Sequence, residues 1–330
     1  MTTDRRIALV DLGRCEVETF SVSMDLEQRF LGGSGVATYL FCRHAPKMVD
    51  PGSVDNICIV SAGYLSGTLS APLGAAVLTS KSTATGLLAR VCVDGSFAAE
   101  MRQAGFDHLV LKGRAENETC LLIRDGRIEF KEVHGLKDKS LSDQRAILRK
   151  DVLAAKNVLA MACSGTVALE VKDPEGIIAY EKKFFESIDE PPAPNTPDQD
   201  GQDSEIMEGP AGSVDLVQIK QTLMQILGVQ CLGLPSGTKR GAGGSELNFQ
   251  TAADRILLNT GLALDEDGLK QIAYRCIAME RIYNIREGIA TSQGRQADDY
   301  RKNGWTRKTV VKKTKVFDPL RIDDLWGWLK

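Results

Sequence analysis

The residues of this 330-residue chain that could ligate a metal or act as nucleophiles are eight cysteines and three histidines. Their spacing argues against both roles. Cys15, Cys42, Cys58, Cys92, Cys120, Cys163, Cys231 and Cys276 are scattered, with no CxxC or CxxxC loop to bring thiolates together. They read as reduced, mostly buried thiols of a cytoplasmic protein. His44, His108 and His134 are equally dispersed, so neither a His-rich metal site nor a Ser-His-Asp triad is expected. The other candidates are glycines. Gly32-Gly33-Ser34-Gly35 precedes a helical run, a form that can offer backbone N–H groups to a phosphate and serves equally as a tight packing turn. Its spacing and flanks are not those of a dinucleotide fingerprint. Gly63, Gly67, Gly74 and Gly95 would let strands turn close to a flat ligand, or pack β layers together. Asp107 and the pair Arg286-Glu287 read as structural ion-pair formers.

The elements that must position these residues follow from periodicity. Hydrophobic residues make up 43% and charged residues 26% of the chain, an ordinary globular composition. A net charge of −3 gives no electrostatic reason to expect nucleic-acid binding. No apolar run reaches the roughly 20 residues that span a bilayer, and the N-terminal residues lack a secretory apolar core. Alternating patterns predict strands at residues 6–12 and 16–22 around Gly13-Arg14, and residues 57–62, 75–80, 87–93 and 108–112 also read as strands. Strands at 119–124 and 127–133 flank Asp125-Gly126, the strongest hairpin signal in the chain. Helices are expected at 25–31, capped by Asp25, at 36–42, and at 97–104, closed by Gly105. A further helix at 141–153 and strands at 157–162 and 167–171 complete this half.

The composition changes near residue 186. Residues 186–208 hold eight acids and no lysine or arginine, together with Pro191, Pro192, Pro194 and Pro197. Such a stretch lacks the apolar groups to offset ordering entropy. Residues 186–213 are therefore expected to be a linker between a β-rich domain, 1–185, and a helical domain, 214–330. In the latter, 214–229, 246–260 and 265–283 show i, i+3, i+4 apolar spacing. Residues 301–315 carry seven basic residues and no acid, which reads as a solvated tail or as a contact surface for an acidic partner.

Several segments resemble the aldehyde ferredoxin oxidoreductase family of tungstopterin enzymes. These are Gly32-Gly33-Ser34-Gly35, Gly63-Tyr64-Leu65-Ser66-Gly67-Thr68, Lys81-Ser82, the run from Gly95 through Ala104-Gly105-Phe106-Asp107 to Gly113, and the turn Val133-His134-Gly135-Leu136. A second patch, from Glu280-Arg281 to Asn284-Ile285-Arg286-Glu287-Gly288, is similar to a helix end in the C-terminal part of that family. The resemblance implies an α+β fold, with a β-rich N-terminal domain of that family's type and a small helical C-terminal domain. It implies a tungstopterin or molybdopterin cofactor lying over Gly63, Gly67, Gly74, Cys92, Asp94, Gly95 and Gly165, with Cys163 near the same surface. The activity implied is aldehyde oxidation with electrons passed to a ferredoxin-like protein, with a second subunit as a further partner.

The chain departs from the family pattern where that chemistry is concentrated. The CxxCxxxC run that holds most of a 4Fe–4S cluster in the family is absent, so no such cluster is expected from this chain alone. The downstream element that carries the fourth cluster cysteine resembles Gln225-Ile226-Leu227-Gly228-Val229-Gln230, with Gln230 at the cysteine position and Cys231 beside it. A family arginine near a pterin phosphate falls at Ala75. No histidine follows His134. Three readings stay open: a shortened pterin-binding oxidoreductase, a non-catalytic relative used for binding or assembly, and a small-ligand or thiol–metal protein on the same scaffold.

Overall fold

The computed structural model describes residues 5–83, 85–134, 206–207, 214–229 and 247–287. The predicted helix at 141–153, the strands at 157–162 and 167–171, nearly all of the acidic segment and the basic segment lie outside these residues, as do Cys163, Gly165 and Cys231.

Strands β1 (Arg6–Asp11) and β2 (Glu16–Ser21) form the expected antiparallel hairpin. Helix α1 (Met24–Phe30) follows, and its cap corrects the sequence expectation. Ser23, not Asp25, is the N-cap, its side chain accepting from the Leu26 N–H at 3.2 Å. Asp25 sits in the first turn and pairs with Arg29 one turn on. Helix α2 (Gly33–His44) starts inside the glycine motif rather than after it. Strands β3 (Cys58–Ala62), β4 (Ala75–Lys81) and β5 (Leu88–Asp94), helix α3 (Phe97–Gln103) and strand β6 (His108–Lys112) complete the main layer. The hairpin β7 (Thr119–Arg124) and β8 (Arg127–Glu132) turns through Asp125 and Gly126, both at positive φ, as a tight two-residue connection requires. A two-residue pair, β9 (Ile206–Met207) and β10 (Val214–Asp215), leads into α4 (Leu216–Leu227), α5 (Phe249–Thr260) and α6 (Glu266–Arg286). Asn248 and Asp265 cap α5 and α6, and Gly261, at φ 77°, closes α5.

The six-stranded sheet runs β2-β1-β6-β3-β4-β5. Only β1 and β6 are parallel neighbours; the other pairings are antiparallel. Strands β3 and β4 are buried along their whole lengths because both faces of the sheet are covered. Ile7, Ile59, Leu88 and Val110 pack beneath α1, α2 and α6, where Phe41 meets Tyr283 edge to face at 5.2 Å. On the opposite face Val10, Val60, Leu78 and Leu109 pack against Ala98 and Met101 of α3 and against the β7–β8 hairpin. The fold class is thus α+β, with the strands in the first part of the chain and helices dominating the last. The described C-terminal helices do not stand apart from the sheet. Ile219, Leu223, Ile226 and Leu227 of α4 share one core with Leu31, Tyr64 and Leu65.

A ladder of polar contacts ties α6 to the edge of the sheet. Arg90 pairs with Glu280. The Leu88 N–H donates to Asn284 Oδ1 at 3.0 Å. Lys81 Nζ lies 2.8 Å from Glu287 Oε2 and donates to the Val49 carbonyl at 2.7 Å. The Met48 N–H donates to Glu287 Oε1. Burial alone would push the Glu287 carboxyl up; the hydrogen bonds from Lys81 and Met48 outweigh it and hold the group below its ordinary value. The two motif patches Lys81-Ser82 and Asn284-Ile285-Arg286-Glu287 therefore meet in space, and Asp107 and Glu287 both enter buried ion pairs.

His108, fully buried, faces Ser61 across β3 and β6, with Nδ1 2.8 Å from the Ser61 hydroxyl. Its Nε2 has no partner. Burial drives its pKa down to about 4; the Asp107 charge opposes this and the Arg5 and Arg102 charges add to it.

Two outcomes follow. Glu287→Gln strands the Lys81 ammonium, so unfolding free energy in urea should fall by about 3 kcal/mol, and Lys81→Met in the same chain should recover part of that loss. His108 is neutral when folded and titrates near 6.5 when unfolded. Below pH 6.5 the unfolded chain binds the extra proton, so stability should decline from there to pH 4, by about 3 kcal/mol in all. Comparing urea midpoints with a His108→Gln chain isolates that slope from the carboxylates, and equal pH slopes in the two chains would contradict it.

Candidate functional site

Three turns converge at one end of the sheet: residues 63–68 after β3, 72–75 leading into β4, and 94–96 at the end of β5. The Gly63 N–H and the Ser66 hydroxyl both donate to the Ala75 carbonyl, at 3.0 and 3.1 Å, and the Gly95 N–H donates to the Gly74 carbonyl at 3.2 Å. Antiparallel register sets Ala75 opposite Asp94, which aligns the last two turns. The result is a rim of Gly74, Ala75 and Gly95.

A buried ionic network supports the first turn from beneath. Asp107 accepts from the Arg6 N–H at 3.1 Å, from Arg102 Nε at 3.0 Å and from Arg5 at 3.5 Å. Arg5 also pairs with Glu27, and the Tyr64 hydroxyl donates to Glu27 at 2.9 Å. The two guanidiniums and two carboxylates balance, as buried charges must. Both arginines donate to the Tyr64 carbonyl, and Arg102 also donates to the Ser66 carbonyl.

Helix α4 closes the turn from the side. The Tyr64 and Leu65 N–H groups donate to the Ile226 and Leu227 carbonyls at 2.9 and 3.0 Å. Gly63 lies against Gly228; a Cβ on Gly63 would fall on the Gly228 backbone. The same helix end answers the question posed by Gly32-Gly33-Ser34-Gly35. A Cβ on Gly33, which sits at φ 45°, would strike the Gln225 and Ile226 carbonyls. The positive N-terminal end of α2 thus meets the carbonyl end of α4 inside the protein, and the glycines serve this close approach rather than presenting a phosphate cradle to solvent.

The sequence-predicted site residues separate accordingly. Gly63 faces Gly228. Gly67, at φ 75°, faces Ala99 of α3, and Gly74, also at φ 75°, faces Ser66. Gly95, at φ 129°, has open space where a Cβ would project. Cys92 is half-buried on β5, two residues before Asp94. Gly165 lies outside the described residues. The N–H groups of residues 63–68 all donate within the chain, to Ala75, Ile226, Leu227, Gly63, Ala71 and Leu65 in turn. That turn offers no free backbone donor. Of the four glycines singled out at this sheet end, Gly95 alone has open space where a Cβ would project; Gly74 packs on Ser66 and Ala75 is buried. Among the described residues no group of three or more His, Cys, Asp or Glu side chains is placed to hold a metal ion, and no helix is long and apolar enough to cross a membrane. Sequence reasoning singled out Asp107 but missed Arg5 and Arg102. The only available signal for Arg102 was its place between Gly95 and Asp107.

Residues 7–170 match a family model described as aldehyde ferredoxin oxidoreductase, N-terminal domain. Tungsten-containing aldehyde ferredoxin oxidoreductase of Pyrococcus furiosus is 33% identical over 156 residues, covering 47% of this chain and 26% of the relative. The protein of the same description from Thermococcus kodakarensis is 31% identical over 161 residues, covering 48% and 26%. The chain thus matches about a quarter of the length of these relatives. A chain of the active-site complex BamBC of benzoyl coenzyme A reductase, solved with 1,5-dienoyl-CoA, overlaps 44% of this chain and 22% of its own length at 26% identity, with a TM-score of 0.43. The match over residues 7–170 and the two relatives agree: the chain belongs to the aldehyde ferredoxin oxidoreductase family.

Proposed function

We propose that this protein binds a tungstopterin or molybdopterin cofactor at the rim formed by Gly74, Ala75 and Gly95, with Cys92 and Asp94 on the strand that leads to it. In this reading it supports aldehyde oxidation, with a ferredoxin-like protein as electron acceptor and a second subunit supplying the cluster and proton-transfer groups. The observation that carries the proposal is convergence. The neighbouring turns at 63–68 and 72–75 meet the turn at 94–96 at one sheet end, and the glycine at its outer edge, Gly95, keeps open space above it. When bound, the cofactor supplies the redox-active metal. The chain supplies a rim of small residues and a rigid support beneath it.

The fit is one of shape and backbone rather than charge. Ala75 offers no cation, and the neighbouring Arg5 and Arg102 are already engaged by Glu27, Asp107 and carbonyls. Phosphate recognition is therefore assigned to groups beyond the described residues or on the partner subunit.

The test is production of the full chain in a host that makes tungstopterin. Pterin is read as fluorescence after oxidative release, and tungsten by mass spectrometry. Near-stoichiometric pterin supports the proposal; pterin-free protein from a producing host overturns it. Gly95→Leu should remove bound pterin while keeping the fold. Gly95→Ala should cost about 1–2 kcal/mol of stability, from backbone strain alone. Gly63→Ala should cost about 3 kcal/mol or more, because its Cβ meets backbone that cannot move aside. Equal losses at the two glycines in urea unfolding would contradict this division of roles.

A further inference from the structure

We propose that Arg102 is the positioning residue of this site, fixing the height of the Gly74–Gly95 rim through the carbonyls of the 63–68 turn; the assignment rests on the cofactor reading above. Arg102 is anchored before it reaches the turn. Its Nε donates to Asp107 Oδ1 at 3.0 Å, and Asp107 is itself fixed by the Arg6 N–H of β1. From that anchor one guanidinium nitrogen, Nη1, donates to the Tyr64 carbonyl at 3.3 Å and to the Ser66 carbonyl. Arg5 shares the Tyr64 carbonyl, whereas the Ser66 carbonyl is held by Arg102.

Ser66 is the residue through which position passes to the rim. Its hydroxyl donates to the Ala75 carbonyl, and Gly74 packs directly on it. The Gly74 carbonyl in turn receives the Gly95 N–H. A continuous set of short contacts therefore runs Asp107, Arg102, Ser66, Gly74, Gly95. A planar guanidinium can serve a carboxylate and two carbonyls at fixed angles. An ammonium at the same place satisfies the charge of Asp107 without that geometry. Losing a charge-assisted donor to a buried carbonyl frees the turn and leaves the core strands untouched.

The experiment compares the full-length wild type with Arg102→Lys and Arg102→Gln, using amide hydrogen exchange of residues 63–71 and 108–112 and pterin content after production in the tungstopterin-making host. The expected result for Arg102→Lys is exchange about tenfold faster at Ser66, Gly67 and Thr68, unchanged protection of β6, and pterin retention reduced several-fold, with Arg102→Gln showing the larger change on both readouts. Wild-type exchange of the turn in both variants overturns the proposal. So does a loss of protection across the whole sheet in both variants, which makes Arg102 a residue of global stability. A wild type that carries pterin, with variants that retain it equally, also overturns it. A wild type without pterin instead defeats the cofactor reading, and the exchange data alone then decide whether Arg102 holds the turn.

Discussion

The structure depends on the contact between two glycines, Gly63 and Gly228. Only residues without Cβ atoms let the end of α4 come close enough for its Ile226 and Leu227 carbonyls to accept from Tyr64 and Leu65. That pairing ends the helix, ends strand β3 and merges the core of α4, α5 and α6 with the buried end of the sheet. A side chain at either glycine would separate the backbones and unseat Tyr64, whose ring lies under Arg5 and whose hydroxyl holds Glu27. Packing at this density transmits such a displacement rather than absorbing it.

Charge is organised around the same joint. Beneath the turn, buried Arg5 and Asp107 and half-buried Glu27 and Arg102 form a neutral set, and at the β4–β5 side of the sheet Arg90–Glu280 and Lys81–Glu287 clasp α6. Such pairs add little net stability relative to apolar replacements, but breaking one leaves a stranded charge. Their value here is register. Residues about 200 apart in sequence are held in one alignment, because a shift leaves a carboxylate or an ammonium without its partner.

Close packing also separates structural glycines from those available to a ligand. Glycines at 33, 63, 67 and 74 all have backbone or side-chain atoms where a Cβ would go. Gly95 does not. The family's glycine-rich turns therefore do two kinds of work in this chain. Most bring its own elements together, and Gly95 at the sheet end is the one of these five with open space beside it.

The alternation of 6–12, the short apolar runs at 57–62, 75–80 and 108–112, and Asp125-Gly126 determined the strands and the hairpin. Such signals are local, since apolar patterning and turn chemistry act over a few residues. The α+β class and the family were legible from ordered motifs such as Ala104-Gly105-Phe106-Asp107. Tertiary structure decided everything that required two distant segments at once. It placed Lys81 on Glu287, faced Gly33 with the carbonyls of α4, gave the cap of α1 to Ser23, and set Arg102 between Asp107 and Ser66. None of these has a periodic signature, because a long-range contact depends on how the chain closes on itself, and a single residue type does not encode its distant partner.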